Sequence, residues 1–155
     1  MITIREHKKS DIPQIKEISD SLHPKWFTKE ALDNILLDIQ LNKTFILQSD
    51  GVTSGFISLY SQDGIAHVSW LGILLSEQNK GLGTKLLKFA EDYLKNIGIE
   101  VLKVKTVVEQ IPPDQTYDLT IKFYSKNGYK IEKKFPEKTY EGFKFKIGIF
   151  SKNLR

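Results

Sequence analysis

The sequence contains no cysteine among its 155 residues. This absence excludes disulfides, thiolate-ligated zinc or iron–sulfur sites, and any enzyme that carries its intermediate on a cysteine. Histidine is also scarce: the three residues of this type, His7, His23 and His67, are widely separated, so we expect no metal cofactor. No apolar run reaches the ~20 residues that a membrane-spanning helix needs, and charge follows the first residues directly. We therefore expect a cytoplasmic protein with no membrane partner.

Basic residues are sparse in the first half of the chain and abundant in the second. Residues 1–78 carry 7 basic and 10 acidic side chains, whereas residues 79–155 carry 16 basic and 9 acidic ones. Such a split is typical of a lysine-rich solvated surface, and equally of a site for a polyanion, either nucleic acid or a phosphorylated ligand. Composition alone leaves these alternatives open.

Hydrophobic periodicity predicts a single α/β (α+β) domain over residues 1–155. Apolar residues follow strand and helix spacings in the order β-α-α-β-β-β-α-β-α-β-β. Three antiparallel strands form a meander, and the last of them begins a strand–helix–strand unit, which favours two parallel strands joined by a right-handed crossover. The predicted strands are residues 2–5, 43–49, 55–60, 65–75, 101–108, 129–135 and 143–150. The predicted helices begin after Ser10-Asp11, at Thr28, at Leu82 and at Asp118.

The most informative segment, residues 71–84, runs from a predicted strand through a loop into a helix. The first N–H groups of a helix are unpaired and carry a positive dipole end, and glycines let an anion approach them closely. Lys80 adds a full positive charge beside Gly81 and Gly83. The glycine spacing matches neither the dinucleotide-binding fingerprint nor the P-loop. The alternatives are therefore a phosphate site of another kind and a tight strand-to-helix turn with no ligand.

Two patterns in the chain resemble those of the GNAT family of N-acetyltransferases. Gln78, Gly81 and Gly83 fit that family's Arg/Gln-x-x-Gly-x-Gly/Ala pattern at every defined position. The segment 123–129, Phe-Tyr-Ser-Lys-Asn-Gly-Tyr, is similar to the family's Phe-Tyr-x-x-x-Gly-Phe. The order of the predicted elements is also that of the family. The resemblance covers essentially the whole chain, and the first third is its least characteristic part.

The resemblance implies both a fold and a co-substrate, acetyl-CoA, with no metal. In the GNAT fold a mixed sheet, flanked by about four helices, is split into a V by a bulged strand. Here the bulge would separate residues 70–75 from residues 101–107. The exposed backbone of Leu71 and Ile73 would bind the pantetheine arm, and the Leu71 N–H would face the thioester oxygen. The residues implied to hold the pyrophosphate are Gln78, Asn79, Lys80, Gly81, Leu82, Gly83 and Thr84.

The implied reaction is direct attack of an amine on the thioester, which agrees with the absence of cysteine. Tyr124 would be the general acid that protonates the departing thiolate, since ordinary pKa values of about 10 for a phenol and about 8.5 for a thiol allow a hydrogen-bonded transfer. The alternative is that Tyr124 is only a packed aromatic side chain. His67 falls where some family members carry a glutamate base, and an imidazole suits that role near neutral pH. Many members use a water chain instead, so the base stays open.

The acceptor implied by the resemblance is a small-molecule or peptide amine. Its site would be walled by the link between the first two helices, which contains Trp26 and Phe27, and by Trp70 on the strand before the loop. For each of these aromatic residues the alternative is packing in the core. Glu109 and Asp114 lie in a predicted loop, from which they would attract a cationic amine.

One position departs from the family pattern. Tyr117 stands where many members carry an asparagine that contacts the cofactor. Lys126 is either a contact to the adenosine phosphates or a solvated lysine on the helix surface. The main alternative to an enzyme is a non-catalytic acyl-CoA-binding or regulatory module on the same fold. Because the basic half begins within the segment implied to hold the pyrophosphate, and most of its other lysines are expected to be solvated surface, we expect no nucleic-acid partner. The sequence leaves open whether the chain forms a homodimer.

Overall fold

The computed structural model describes residues 1–155. Its first part contains one strand and two helices. These are β1 (Ile2–Glu6), α1 (Ile12–Ser21) and α2 (Lys29–Leu41). The Thr28 hydroxyl caps α2, as predicted, by accepting from the Ala31 N–H at 3.1 Å. The cap predicted at the start of α1 is wrong, because the Asp11 carboxylate makes no capping bond to α1. It binds the Arg5 guanidinium instead, with two contacts of 2.9 Å.

The predicted antiparallel meander follows, with its strands beside β1 in chain order. Its strands are β2 (Lys43–Ser49), β3 (Val52–Gln62) and β4 (Ile65–Ile73). They are joined by the expected turns at Asp50-Gly51 and Asp63-Gly64. β4 ends two residues earlier than predicted, because the chain enters one turn of 3₁₀ helix at Leu75–Glu77.

A crossover helix then brings the next strand parallel to β4, as predicted. The elements are α3 (Leu82–Asn96), β5 (Val101–Ile111) and α4 (Gln115–Lys126). α4 begins three residues before the predicted start at Asp118. The reason is local, since the Asp114 carboxylate caps the helix by accepting from the Thr116 N–H at 2.8 Å.

Three antiparallel strands complete the sheet: β6 (Lys130–Lys134), β7 (Lys138–Tyr140) and β8 (Phe143–Asn153). β8 pairs with β5 on one edge and with β6 and β7 on the other. β7 lies in a segment predicted as a connection only. β5 runs to Ile111, beyond its predicted end at residue 108, because its last residue pairs with Lys144 of β8.

The predicted split of the sheet lies between β4 and β5. Three residue pairs join these parallel strands, and the last pair is Val68 with Val104. β4 then carries one extra residue, Ser69, where its register with β3 shifts. Such a bulge bends a strand and ends its pairing. The mixed sheet therefore opens into a V beyond Val68, while residues 102–104 of β5 stay paired with residues 66–68 of β4.

Two hydrophobic clusters cover the two faces of the sheet. The larger, of 18 buried residues, lies between the sheet and helices α3 and α4. The smaller, of 8 buried residues, lies between the sheet and helices α1 and α2. Removal of this apolar surface from water holds the helices against the sheet. No helix combines the length and the apolar character that crossing a membrane requires.

Candidate active site

The V between β4 and β5 opens a cleft of about 610 Å³. Its walls are the start of α3, helix α4 and the link between α1 and α2. The predicted site residues in its lining are Trp26, Phe27, Trp70, Leu71, Ile73, Gln78, Asn79, Gly81, Leu82, Gly83, Thr84 and Tyr124. Among the predicted catalytic and cofactor-binding residues, His67 and Lys80 lie outside the lining. A second cavity of about 430 Å³, between the ends of α2 and α3, contains none of them.

The bulge in β4 decides which way its side chains face. Ser69 and Trp70 both face α2: the Asn42 amide donates to the Ser69 hydroxyl at 3.2 Å, and the Trp70 indole donates to Asp38 at 2.9 Å. Simple alternation along a strand would place two neighbouring side chains on opposite faces. Because of the extra residue, Leu71 packs on the other face, against the larger cluster. The bulge therefore separates an aromatic side of the cleft from a side that borders α3.

The backbone of β4 has an unpaired edge beyond the bulge. The Leu74 N–H donates to the Ser54 carbonyl of β3 at 2.8 Å. Since N–H groups point to alternate sides along a strand, those of Leu71 and Ile73 point away from β3 and into the cleft. The Ile73 carbonyl on this edge accepts from the Gln78 side chain at 3.2 Å. Gln78 thus ties the loop to the end of β4, and the two N–H groups face the cleft.

The loop between β4 and α3 exposes the first N–H groups of the helix. The first helical hydrogen bond joins the Lys85 N–H to the Gly81 carbonyl at 3.2 Å, so the earlier amides have no acceptor within α3. Gly81 has a φ of 77°, in the left-handed region that favours glycine. Gly83 matters for a different reason, since a Cβ there would lie 3.1 Å from the Phe123 ring, which would have to shift. One glycine shapes the turn, and the other lets α4 pack closely on α3.

The positive charge beside this loop comes mainly from α4. Lys80, expected to face a phosphate, pairs with Glu77 at 2.6 Å at the outer edge of the loop. Lys122 and Lys126 line the cleft from α4, and neither forms an ion pair with a carboxylate. Together with the dipole of α3, they make this end of the cleft favourable for anions.

Tyr124 lies in α4 with its ring packed among Phe123, Tyr129 and Phe150. The residue is buried, and its hydroxyl makes no hydrogen bond within the protein. Burial raises the pKa of Tyr124, so the phenol keeps its proton well above neutral pH. A protonated phenol that lines the cleft and has no protein partner is suited to donate to a ligand.

A buried polar network holds the end of α4 next to Tyr124. The Tyr129 hydroxyl donates to Glu91 at 2.7 Å, and the Lys152 ammonium donates to the same carboxylate at 2.9 Å and to the Asn127 carbonyl at 3.0 Å. The Tyr129 N–H donates to the Tyr124 carbonyl at 3.0 Å. The side-chain contacts join residues 25 to 61 positions apart in the chain, so no local sequence pattern could reveal them.

Aromatic side chains form the opposite side of the cleft. Trp26 lines it beside Phe27 and Trp70, whose ring centroids lie 5.6 Å apart in a T-shaped arrangement. The two carboxylates expected to attract a cationic amine do not line the cleft. Glu109 pairs with lysines of β6 and β8, and Asp114 caps α4. The aromatic side is therefore present without the acidic groups that were expected with it.

His67 lies on β4 before the bulge, outside the cleft lining. Its ring stacks on Tyr60, with the ring centroids 4.9 Å apart. Burial and then the positive charge of Lys103 lower the pKa of His67, so the imidazole is neutral near pH 7. The side chain has the protonation state that a base needs, but not a position for direct contact with a ligand in the cleft.

The pattern of the acetyltransferase (GNAT) family matches residues 12–129 of the chain. The chain belongs to the GNAT acetyltransferase family. No curated protein matches it in sequence. The chemistry of the family is acyl transfer. In this GNAT protein one cleft brings together the split of the sheet, the loop before α3 and Tyr124 of α4.

Solved structures share the GNAT fold at low sequence identity. A protein assigned to the GNAT family from Desulfovibrio desulfuricans has a TM-score of 0.85 at 17% identity, with 100% of both chains covered. The ribosomal-protein-S18-alanine N-acetyltransferase of Escherichia coli has a TM-score of 0.78 at 20% identity, covering 99% of this chain and 94% of that one. A GNAT acetyltransferase from Elizabethkingia anophelis, solved with acetyl-CoA bound, has a TM-score of 0.72 at 18% identity, covering 98% and 97%.

Some cleft residues of this GNAT protein were not singled out from the sequence. These are chiefly Lys105 and Thr106 of β5 and Lys122 of α4. Lysines at 103 and 105 alternate with apolar residues, which indicates that they share one face of a strand. That this face of β5 borders the cleft depends on the separation of β5 from β4, and no local sequence pattern predicts that separation.

Proposed function

We propose that this GNAT protein transfers the acetyl group of acetyl-CoA directly to the amine of an acceptor. The observation that supports it is the meeting of three features in one cleft. These are the unpaired edge of β4 at Leu71, the open start of α3 and the hydroxyl of Tyr124, which has no protein partner. Acetyl-CoA supplies the reactive thioester when bound, and the chain supplies orientation and protons.

The polar groups of the cleft suit the two ends of acetyl-CoA. The N–H groups of Leu71 and Ile73 face the cleft, where an extended arm that contains amides can pair like an added strand. The first N–H groups of α3, which begin after Gly81, suit a diphosphate. Lys122 and Lys126 add positive charge at the same end. These residues account for binding without a metal.

Tyr124 is the proposed acid of the reaction. The amine nitrogen attacks the thioester carbonyl carbon, a C–N bond forms, the C–S bond breaks, and the sulfur leaves with the electron pair. The Leu71 N–H stabilises the negative charge that develops on the oxygen. The Tyr124 phenol gives its proton to the sulfur and regains one from the amine nitrogen through water. The raised pKa of Tyr124 keeps it in the acid form between turnovers.

His67 is retained as the candidate base. Because its imidazole lies outside the cleft lining, it would act on the amine through water molecules rather than by direct contact. Its lowered pKa favours the neutral, proton-accepting form. Water alone is the alternative, and the dependence of the rate on pH distinguishes the two.

Thiol release from acetyl-CoA in the presence of a panel of amines tests the proposed transfer. Because the chain contains no cysteine, a thiol reagent detects only the CoA product. We expect amine-dependent thiol release, with the acetylated amine identified by mass. Thermal stabilisation by acetyl-CoA without thiol release from any amine would support a non-catalytic acyl-CoA-binding module and contradict the proposal.

A further inference from the structure

The carboxylates around the aromatic side of the cleft already have partners. Glu109 binds Lys134 at 2.7 Å and lies 3.6 Å from Lys146, and these lysines hold the pKa of its carboxyl below the usual range. Asp38 accepts from the Trp70 indole at 2.9 Å. Glu109 is thus neutralised by two lysines, and Asp38 is oriented towards the Trp70 indole, outside the cleft lining.

The cations of the cleft, in contrast, lack anionic partners. The only carboxylate in the lining is Glu77, which is paired with Lys80. Lys105 lines the cleft from β5, is exposed, and forms no ion pair. Its ammonium lies 5.0 Å from the centre of the Phe135 ring, and that of Lys133 lies 4.8 Å from the same ring. Phe135 and Lys133 lie outside the cleft lining, so Lys105 is the cation that the β5 wall brings to the cleft.

Lys105 faces the aromatic side of the cleft rather than the side that borders α3. Val104, its neighbour in β5, packs into the larger cluster under α3 and α4. Alternation along the strand therefore turns Lys105 to the face that α1 and α2 cover. Trp70 faces the same way on the other arm of the V, where it binds Asp38 of α2. An acceptor between β4 and β5 would meet aromatic rings on one arm and a cation on the other.

We propose that the acceptor amine carries an anionic group, a carboxylate or a phosphate, which Lys105 binds. This inference rests on the proposed acetyl transfer and specifies the substrate of the same site. The ring-lined arm accommodates the apolar part of such an acceptor, and Lys105 fixes the end that carries the anion. The anion on the acceptor distinguishes it from a cationic amine drawn to Glu109 and Asp114.

Tryptophan fluorescence provides a binding test that does not depend on turnover. The chain has 2 tryptophans, Trp26 and Trp70, and both line the cleft. Two matched pairs of probes separate the anions: phenylalanine against phenethylamine, and phosphoethanolamine against ethanolamine. We expect the anionic member to bind about tenfold more tightly in one pair or both, and increasing salt to weaken that preference.

Lys105→Glu should remove this preference, and Lys105→Gln should weaken it. Lys95→Glu is the control with the same charge change, because Lys95 lies exposed in the last turn of α3, at the opposite end from the cleft loop. Equal affinity for both members of both pairs, or an unchanged preference in Lys105→Glu, would overturn the anion site.

Thiol release with the same four probes keeps the two proposals distinguishable. Release with amines that lack the anion, together with equal binding of both members, would leave acetyl transfer standing and remove the anion site. Discriminating fluorescence without thiol release from any probe or amine would support the anion site and contradict acetyl transfer.

Discussion

Replacing Tyr124 by phenylalanine should separate catalysis from stability. The substitution removes one hydroxyl that has no protein partner and keeps a ring packed on Phe123, Tyr129 and Phe150. No internal hydrogen bond is lost, so the free energy of unfolding should change by less than about 0.5 kcal/mol. Loss of a general acid lowers rates by about 10² to 10⁴, which corresponds to about 2.7 to 5.4 kcal/mol of activation free energy.

The matched control is the same substitution at the other buried tyrosine of this region. Tyr129→Phe removes a 2.7 Å hydrogen bond to buried Glu91. We expect it to lower the free energy of unfolding by about 1 to 3 kcal/mol, and to lower kcat much less than Tyr124→Phe does. The two variants should thus show opposite patterns of activity and stability.

Steady-state thiol release at saturating amine and denaturant unfolding measure the two quantities. For Tyr124→Phe we expect kcat to fall far more than the KM for acetyl-CoA rises. An unchanged kcat in this variant would refute the role of Tyr124 as the acid. Equal loss of kcat in both variants, at equal folded fractions, would show that the position of α4 matters and the Tyr124 proton does not.

Three further perturbations test the loop before α3, the candidate base His67, and the stability of the fold at low pH. Gly81→Ala places a side chain at a φ of 77°, so it should lower the free energy of unfolding, measured with denaturant, by about 1 kcal/mol. Gly81→Asn should lower it by less, because asparagine tolerates the left-handed region better. Equal losses in the two variants would contradict the explanation from backbone conformation. If His67 is the base, the rate should fall as the pH drops below the ordinary imidazole pKa, because the pKa of His67 in the folded protein is lowered. His67→Ala should abolish that acidic limb of the pH–rate profile. An unchanged profile would mean that water, and not His67, accepts the proton of the amine. The Arg5 guanidinium lowers the pKa of Asp11, although burial opposes this shift, so the ion pair stabilises the fold fully above the unfolded carboxyl pKa of about 3.9 and less as the pH falls towards the folded pKa. The free energy of unfolding of Asp11→Asn should therefore depend less on pH below about 4 than that of the unsubstituted protein. Equal pH dependence in the variant and the unsubstituted protein would argue against the pair.

Most elements were predictable because their signals are local. Thr28 caps α2 through the N–H three residues on, and Asp-Gly turns close the hairpins. The start of α4 was misplaced although its signal was local too, since Asp114 has the side chain of an N-cap. The end of β5 and the short β7 were missed because both depend on pairing with β8, which lies far along the chain.

The candidate site divides in the same way. The residues proposed to hold a phosphate lie in one short segment, so the glycine spacing and the helix start indicated them together. Tyr124 was found through the resemblance of its surrounding pattern, but its buried position and free hydroxyl required the packing of α4. Lys80 was placed correctly in the loop, yet its pairing with Glu77 depends on side-chain conformation.

The sequence by itself determined the order of the helices and of every strand except β7, the loop at the start of α3 and the absence of any thiol. These depend on periodicity, capping and composition, which act over a few residues or none. Only the tertiary structure decided that Ser69 forms the bulge, that His67 lies outside the cleft and that Lys105 enters it unpaired. These depend on the register between strands and on which side chains meet across the V. The net charge that a cleft presents depends on which of its charged side chains form ion pairs, and such pairs can join residues that are distant in the chain.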